Sequence, residues 1–485
     1  MDQGRAQRIT AVIIVLITAG VVSSYFWSFD NDDAFITYRY ARNVATGKGL
    51  VYNTGERVLG TTTPLFALLV GMFSIMYKNP VFWGKLLSGL FLGIIGFESI
   101  YILFRNRPPE QATDIWLVFL APIVLLDPLF LSGGFGSETF LHLSLIMGGF
   151  CFLRSEREII PGMLLGLSVI SRGDGIVAAA VFVGIRILYN HRIPWRTAIS
   201  IVVIIGLWTG FALLYYGSPI PGTMDAKQLQ AGVWHTRFLD GIRYYGNRYF
   251  SRAPTILVLV PLAVMGGIAL IRRRDWLLGT VAVWGTAYLI SYALLNVPYV
   301  YIWYYSLVSP VFVLLALYGI RCGWGFFDMP GWWKPIAVIS VGIVVFSFIR
   351  CDLHFLRWLP YPRHPVYREA GEWLRDTTPD SVSVAAFEVG AIGYYSERRI
   401  VDLWGLVTKD VARKTLREGD ETWAVRRYHP DILIFQSDRW GNELAIERAP
   451  WFSRAYEFDR TFRSERFPGI DLFRLVNPAA IPGII

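Results

Sequence analysis

Long apolar segments alternate with short polar ones over roughly the first 350 residues of the chain. Segments of about 18 or more apolar residues match the thickness of the hydrocarbon core of a bilayer. The pattern therefore predicts a polytopic α-helical membrane protein and argues against a single soluble domain. We predict about eleven transmembrane helices, at 9–29, 82–104, 115–132, 137–153, 161–172, 175–189, 197–216, 254–271, 276–295, 301–320 and 335–349.

One apolar run, 64–77, is excluded from the predicted spans. It has 14 residues, begins at Pro64 and is followed by Lys78, and this length is typical of an interfacial or re-entrant helix. If this run lies on the outer surface, five short loops that carry arginine face the cytoplasm, in keeping with the positive-inside rule. These loops are 105–107, 154–157, 191–196, 272–274 and 321–334.

An alternative topology lets 64–77 cross the membrane and joins 161–189 into one helix. It also gives eleven spans, but it places the arginines of 105–107 and 154–157 outside, which the positive-inside rule disfavours. The N-terminus is predicted to be cytoplasmic, because its apolar run is too long for a signal peptide and lacks a cleavage site. Both topologies have eleven spans, and an odd number of spans puts the C-terminal part on the opposite side from the N-terminus. Both therefore place the C-terminal part outside the cytoplasmic membrane.

The sequence changes character near residue 350. A short helical pattern at 367–376 is followed by short β-rich runs with turn residues between them. We therefore predict a transmembrane module over 1–349, whose outer loop 30–81 carries the interfacial helix, and a small extracytoplasmic α/β domain over 350–485. The predicted strands are 381–387, 399–403, 431–436 and 471–476.

Composition agrees with a membrane protein and narrows the choice of partners. The chain is 54% hydrophobic and 17% charged, with a net charge of +9. Lysine and arginine lie largely in the short loops, so topology explains the positive charge and no nucleic-acid partner is predicted. The three cysteines and six histidines show no metal-binding spacing. No metal ligands are therefore predicted, and a loosely held divalent cation at the first acidic loop stays open.

The acidic loop after the first predicted helix carries the main candidate chemistry. Asp32 and Asp33 are adjacent, and if Asp32 begins a helix, Arg39 lies two turns later on nearly the same face, with Arg42 nearby. Acidic residues at a helix N-terminus are also stabilised by the helix dipole. The simpler alternative is a helix N-cap with solvated arginines.

The array Asp-Asp-x-x-x-x-x-x-Arg-x-x-Arg-Asn, followed by Gly-x-Gly-Leu-Val-x-Asn-x-Gly-Glu-Arg-Val, is a specific combination. It resembles the first outer loop of the GT-C superfamily of polyprenyl-phosphate-sugar glycosyltransferases, nearest to the actinobacterial terminal arabinofuranosyltransferase branch. Other segments resemble that branch in the same order along the chain. These are 132–139, the Ser-Arg-Gly-Asp-Gly turn 171–175 with Gly173 where proline is usual, 215–227, and 400–406.

The resemblance implies transfer of one sugar from a polyprenyl-phosphate carrier to a glycan, lipid or protein acceptor, outside the cytoplasmic membrane. Its narrower implication is arabinofuranosyl transfer in the assembly of cell-wall or cell-surface glycans. The C-terminal domain is shorter than in the arabinosyl enzymes, which leaves the sugar and the acceptor open.

The implied reaction assigns roles to particular residues. The acceptor hydroxyl needs a general base, for which Asp33 or Asp32 is the candidate, and an inverting displacement needs one such base. The leaving lipid phosphate needs cations, and the candidates are Arg172, Lys227, Arg39 and Arg42. The candidates for other substrate contacts are Glu138, Asp174, Glu56, Tyr304 and Asp402.

Each of these roles has a plainer alternative. Arg172 and Asp174 could form an ion pair at the membrane edge, Lys227 could be a solvated loop residue, and Glu138 could cap a helix. Two other functions also stay open: a transporter or flippase of a lipid-linked substrate, and a non-enzymatic receptor or assembly scaffold. The transporter is less favoured, because the sequence shows neither an internal repeat nor a ladder of charges at mid-membrane.

Overall fold

The structure is a computed structural model. It describes residues 3–105, 121–234, 236–250, 255–295, 297–326, 333–357, 359 and 361–483. Contacts between Cα atoms divide the chain into two compact units. The first comprises 1–27, 85–207 and 236–357, and the second comprises 28–84, 208–235 and 358–485.

This division differs from the predicted one at residue 349. The C-terminal boundary lies nearby, at 357–358, but 28–84 and 208–235 join the C-terminal part. Hydrogen bonds inside the second unit explain why. The Tyr216 hydroxyl donates to the Leu50 carbonyl at 2.6 Å, and the amide of Asn53 donates to the Ile400 carbonyl at 2.8 Å.

The long apolar helices identify the chain as a multi-pass membrane protein. Within the described residues, six helices are long and apolar enough to cross a bilayer. They are Ile9–Ser28, Pro80–Phe104, Trp195–Tyr216, Trp276–Leu295, Trp303–Cys322 and Val338–Leu356. Four further predicted spans match helices Thr139–Cys151, Ile159–Ser171, Gly175–Asn190 and Thr255–Arg273. The count of eleven spans stays a prediction.

The predicted span 115–132 is not one continuous helix in its described part. Its first residues, 115–120, lie outside the described residues. The remainder forms a 3-10 helix, Ala121–Leu126, and a short helix, Pro128–Gly134. Pro128 keeps Asp127 out of the helical conformation, and the Asp127 carboxylate caps the second helix by accepting from Leu129 N at 3.1 Å.

Some of these spans have wider or divided helix bounds: the first lies in Gln3–Tyr25 with the 3-10 turn Phe26–Ser28, the fifth in Trp303–Ser306 and Ser309–Phe326, and the sixth in Trp333–Leu356. Two further helices, Gly222–Trp234 and Phe238–Phe250, lie outside the predicted spans.

Two helices of the second unit form the base of its acidic site. Helix Asp32–Ala45 begins after Asn31, whose side chain accepts from Asp33 N at 3.3 Å. The predicted helix at 64–77 is present as Pro64–Met76, with proline in its first turn, where the missing N–H costs no hydrogen bond. The two helices pack closely at Gly71, where a Cβ would lie 3.0 Å from the Ala41 carbonyl.

The C-terminal segment carries a five-stranded mixed sheet in the order β2-β1-β3-β5-β4. Its strands are β1 Ser383–Ala386, β2 Arg399–Asp402, β3 Ile432–Gln436, β4 Tyr456–Ser464 and β5 Phe467–Leu475. β1 pairs in parallel with β2 and β3, whereas β5 is antiparallel to β3 and β4. The flanking helices are Arg363–Thr377, Ala391–Ser396, Trp423–Tyr428, Gly441–Glu447 and Phe452–Ala455, with a π-helical turn Arg413–Arg417 and a 3-10 turn Pro478–Ala480.

The predicted small α/β region is thus confirmed, but the sequence analysis predicted no strand at β4. An irregularity in its pairing falls between Phe458 and Arg460, so the alternation of apolar residues changes phase along the strand. Phe458 is consequently 58% exposed while Phe462 is buried. A strand with this pattern gives no continuous period-two signal.

Candidate functional site

The two adjacent aspartates have different surroundings. Asp32 is fixed by the C-terminal segment, because its carboxylate accepts from Gly390 N at 2.9 Å and from Ala391 N at 2.7 Å. Asp33 is the more accessible carboxylate, with 39% of its side chain exposed. The alternative that Asp32 is the helix N-cap is wrong, since Asn31 occupies that position.

Lys227 lies beside the exposed aspartate. Its Nζ is 3.7 Å from Asp33 Oδ2, and its side chain is only 10% exposed. The helix Gly222–Trp234 that carries Lys227 is held in place by the Thr223 hydroxyl, which donates to the Gly60 carbonyl at 2.6 Å. Lys227 is therefore a nearly buried cation beside an accessible carboxylate, which does not fit the alternative of a solvated loop lysine.

Arg39 is buried, and its donors are directed into the protein. It donates to the carbonyl oxygens of Tyr52 (2.9 Å), Gly393 (2.6 Å) and Arg398 (2.6 Å), and to Asn53 Oδ1 (3.2 Å). These four hydrogen bonds satisfy buried oxygen atoms of the protein, which is typical of a structural arginine. These contacts favour a role in holding the second unit together over contact with a phosphate.

Arg42, Glu56 and Asp402 also make structural contacts. Arg42 donates to the Tyr394 carbonyl at 2.7 Å and pairs with Glu397. Glu56 accepts from Arg399 Nε at 2.6 Å.

Asp402 is fully buried at the end of β2. Its carboxylate accepts from Trp404 N at 2.8 Å and Val407 N at 2.9 Å. Burial raises the pKa of Asp402 to about 6, against the lowering effect of these backbone hydrogen bonds. The side chain closes the loop after the strand, and this position favours a structural role.

A separate cluster in the first unit surrounds Arg172. Arg172 lies 2.9 Å from Asp174 Oδ2 and 3.5 Å from Glu138 Oε1, and its guanidinium stands 5.4 Å from the centre of the Tyr304 ring. Arg172 is buried, and within the described residues its Nη1 makes no hydrogen bond. Glu138 occupies the N-cap position of helix Thr139–Cys151, as the plainer alternative expects, but its side chain makes no capping hydrogen bond.

Sequence reasoning missed two members of this cluster. Tyr292 donates from its hydroxyl to Asp174 Oδ2 at 2.6 Å, and His142 Nε2 lies 2.9 Å from Asp174 Oδ1. Burial acts to raise the pKa of Asp174, but Arg172 and His142 outweigh it and hold that pKa below its usual range. No local motif marks His142, because its partner lies a helix away.

Sequence reasoning also gave no firm role to Glu388 in the second unit. Its Oε1 lies 3.8 Å from Arg363 Nη1. Burial, and then the charge of Asp32, raise the pKa of Glu388 to about 8. Burial is also the main cause that raises the pKa of Asp32 to about 6. Three acids therefore lie close together: Asp32, Asp33 and Glu388.

The acids do not form an evident metal centre. Among the residues that the structure describes, no group of three or more His, Cys, Asp or Glu side chains is arranged to hold a metal ion. Both oxygens of Asp32 already accept backbone hydrogen bonds.

Comparisons with known proteins add to this geometry. Residues 358–476 match a family model described as a domain of unknown function (DUF8728). The chain is 27% identical over 266 residues to the terminal beta-(1->2)-arabinofuranosyltransferase of Mycobacterium tuberculosis, covering 50% of this chain and 41% of that protein. The protein of the same name from Corynebacterium glutamicum is 22% identical over 276 residues, covering 48% of this chain and 39% of that one.

Two solved structures share the fold over nearly the whole chain. ArnT from Cupriavidus metallidurans bound to undecaprenyl phosphate has a TM-score of 0.57 at 11% identity, covering 98% of this chain and 99% of that one. The cryo-EM structure of arabinofuranosyltransferase AftD from Mycobacteria has a TM-score of 0.52 at 14% identity, covering 96% of this chain and 40% of that one. This chain has the GT-C fold.

The GT-C resemblance drawn from the sequence is thus confirmed, as is the polytopic membrane class. The chain spans only about two fifths of the length of the curated relatives that it matches. The sugar and the acceptor of those longer proteins are therefore properties of those proteins.

Proposed function

We propose that this chain is a membrane glycosyltransferase that transfers a sugar from a polyprenyl-phosphate carrier to an acceptor hydroxyl, with Asp33 as the general base. The observation that carries this proposal is the contrast between the two aspartates. Asp33 is accessible beside Lys227, whereas Asp32 is committed to two backbone amides. The GT-C fold and the named arabinofuranosyltransferase relatives support the reaction class.

The proposed reaction is a single displacement at the anomeric carbon. The acceptor oxygen forms a bond to C1 of the sugar as its proton passes to the Asp33 carboxylate. The bond from C1 to the phosphate oxygen breaks, and its electron pair leaves with the polyprenyl phosphate. One base suffices for such an inverting displacement. In this proposal Lys227, which lies 3.7 Å from Asp33, stabilises the charge of the leaving phosphate.

Arg172 is proposed as a further ligand of the donor phosphate, on separate grounds. Its guanidinium is buried, and its Nη1 makes no hydrogen bond within the described residues. A buried arginine with a donor to spare suits an oxyanion of a lipid phosphate. Glu138, Asp174 and Tyr304 would then hold this guanidinium in place. Arg39 and Arg42 are left out of the phosphate-binding set because of their contacts with the protein.

The finer assignments extend the same proposal. We propose that the sugar is an arabinofuranosyl group and that the acceptor is a cell-envelope glycan, on the names of the relatives. We also propose that the chain lies in the cytoplasmic membrane, with its N-terminus inside and the Asp33 site outside, because the arginine-rich loops follow the positive-inside rule in that orientation. ArnT, which shares the fold, has been solved with undecaprenyl phosphate bound, and a related polyprenyl carrier is proposed here.

The proposal is tested with purified protein in detergent, where no compartments exist. A short-chain polyprenyl-phospho-arabinofuranose and an arabinofuranoside acceptor are supplied, and mass spectrometry measures the new glycoside and the free polyprenyl phosphate. We expect equal amounts of both products from the wild type. The Asp33→Asn variant should be about 100- to 10,000-fold slower, since it lacks a general base.

A matched control is Asp376→Asn, which removes an exposed aspartate that pairs only with its neighbour Arg375 in the described contacts. This control should transfer at the wild-type rate. Full activity of Asp33→Asn would refute the assignment of the base. A wild type that moves the lipid-linked sugar across vesicles, but forms no glycoside in detergent, would support a flippase instead.

A further inference from the structure

His142 is a buried histidine on helix Thr139–Cys151, and both of its ring nitrogens face an oxygen atom. Its Nδ1 lies 3.1 Å from the carbonyl oxygen of Ser168, in the last turn of helix Ile159–Ser171. Its Nε2 lies 2.9 Å from Asp174 Oδ1. The C-terminal end of a helix and a carboxylate both favour a positive charge nearby.

The oxygen atoms around His142 indicate its protonation state. A carbonyl oxygen only accepts hydrogen bonds, so Nδ1 carries a proton. Asp174 Oδ2 accepts from Arg172 Nη2 at 2.9 Å and from the Tyr292 hydroxyl at 2.6 Å, as an ionised carboxylate does. Within the described residues, Nε2 and Asp174 Oδ1 are not aligned for a hydrogen bond, so opposite charges best explain their short distance. These contacts favour an imidazolium.

The charge of His142 sets the net charge around Arg172. In the described part of the chain, Arg172 forms ion pairs with Asp174 at 2.9 Å and with Glu138 at 3.5 Å. One arginine and two carboxylates leave one net negative charge, which an imidazolium cancels. The other titratable side chains facing Arg172 are phenols, which are neutral near pH 7. They are Tyr288, Tyr292 and Tyr304.

This balance matters for a phosphate ligand. A phosphate is an anion, and a buried site with net negative charge repels it. Arg172 is buried, and its Nη1 makes no hydrogen bond within the described residues. With His142 charged, the cluster no longer opposes an anion that approaches this donor.

We propose that His142 is a positioning residue for the lipid phosphate: as an imidazolium it offsets the charge of Asp174, so that Arg172 binds the phosphate through Nη1. This inference rests on the proposed phosphate-binding role of Arg172 and deepens it. His142 acts through Asp174 and Arg172, and it exchanges no proton with the substrates.

The first test compares the binding of two lipids to the purified full-length protein in detergent. The lipids are a short-chain polyprenyl phosphate and the matching uncharged polyprenol. Glutamine at position 142 keeps an N–H donor but carries no charge. We expect His142→Gln to bind the phosphate about 10- to 100-fold more weakly than the wild type does, and to bind the polyprenol equally well.

The control is His354→Gln, which removes an exposed histidine near the end of helix Trp333–Leu356. It should match the wild type for both lipids. Wild-type phosphate affinity in His142→Gln would overturn the inference. Equal weakening for both lipids would indicate damage to the fold and would contradict the inference as well. If His142→Gln does not fold, His142→Asn, which keeps a donor near Ser168 without the charge, should show the same selective loss.

A rescue variant tests charge separately from shape. Glu138→Gln removes one negative charge and keeps the size of the side chain. In the double variant with His142→Gln, the charges of Arg172 and Asp174 balance again. We expect the double variant to bind the phosphate about as tightly as the wild type does. A double variant that binds no better than His142→Gln alone would overturn the charge-balancing role.

Lipid binding separates this inference from the proposed reaction, because it needs no sugar transfer. If Arg172→Gln and His142→Gln both lose phosphate binding but the wild type forms no glycoside, the role of His142 stands and the proposed activity fails. If the wild type forms glycoside while His142→Gln keeps its phosphate affinity, the activity stands and this inference fails.

Discussion

At the scale of single residues, the accessible charges and the buried charges have different roles in the second unit. Arg39 and Asp33 belong to one helix, yet Arg39 is 6% exposed and the Asp33 side chain is 39% exposed. A buried guanidinium that donates to several buried oxygens supports the backbone around it. Exposure therefore separates Arg39 from the proposed base Asp33 better than sequence spacing does.

Replacing Arg39 by methionine should destabilise the protein severely. It leaves the carbonyl oxygens of Tyr52, Gly393 and Arg398 buried without their donor, at a cost of about 1–3 kcal/mol for each unsatisfied group. We expect a fall of several degrees in the melting temperature. Arg399→Met is the control, because Arg399 is 39% exposed in its pair with Glu56 and should cost less than about 1 kcal/mol. Equal melting temperatures for the two variants would contradict the structural role.

The limits of the sequence are clearest for individual residues. The Asp32-Asp33 pair, Lys227 and Arg172 could be singled out because motifs and topology mark them. The sequence could not show which of the two aspartates is accessible, because the amides that bind Asp32 lie 358 and 359 positions further along the chain. His142 was missed for the same reason, since only the fold brings it to Asp174.

At the scale of elements, local rules predicted what local interactions determine. Pro64 and the length of its apolar run indicated the helix Pro64–Met76, and alternating residues indicated β1, β2 and β3. The prediction missed β4 because the pairing of that strand is irregular. The predicted span 115–132 is interrupted at Pro128, which begins a new short helix. Both misses are places where a single residue interrupts a period.

The packing of helix Pro64–Met76 on helix Asp32–Ala45 depends on Gly71. A Cβ there would already lie 3.0 Å from the Ala41 carbonyl and from Val44, so Gly71→Leu must push the helices apart. Overpacking of this kind typically costs about 1–3 kcal/mol, and we expect a lower melting temperature together with reduced transfer, because the displaced neighbour, helix Asp32–Ala45, carries Asp33. Gly210→Leu is the control, since a Cβ at Gly210 meets nothing within 4 Å. A Gly71→Leu protein as stable as this control would contradict the close packing.

At the scale of the whole molecule, sequence order is a poor guide to the compact units. The sequence predicted a boundary at 349, whereas contacts place 28–84 and 208–235 with the C-terminal residues 358–485. Long-range hydrogen bonds from Arg39, Asn53 and Tyr216 produce this grouping, and no composition change marks it. Helix Asp32–Ala45, Lys227 and the turn at Gly390 and Ala391 therefore belong to one unit drawn from three parts of the chain.

The central claim is that Asp33 acts on the chemical step and not on binding of the lipid donor. The most direct measurement determines, for wild type and Asp33→Asn, both the dissociation constant of the polyprenyl-phosphate sugar and the single-turnover rate of transfer. We predict an unchanged dissociation constant within about twofold and a rate lower by about 100-fold or more. A variant that binds the donor much more weakly, yet transfers bound sugar at the wild-type rate, would contradict the account.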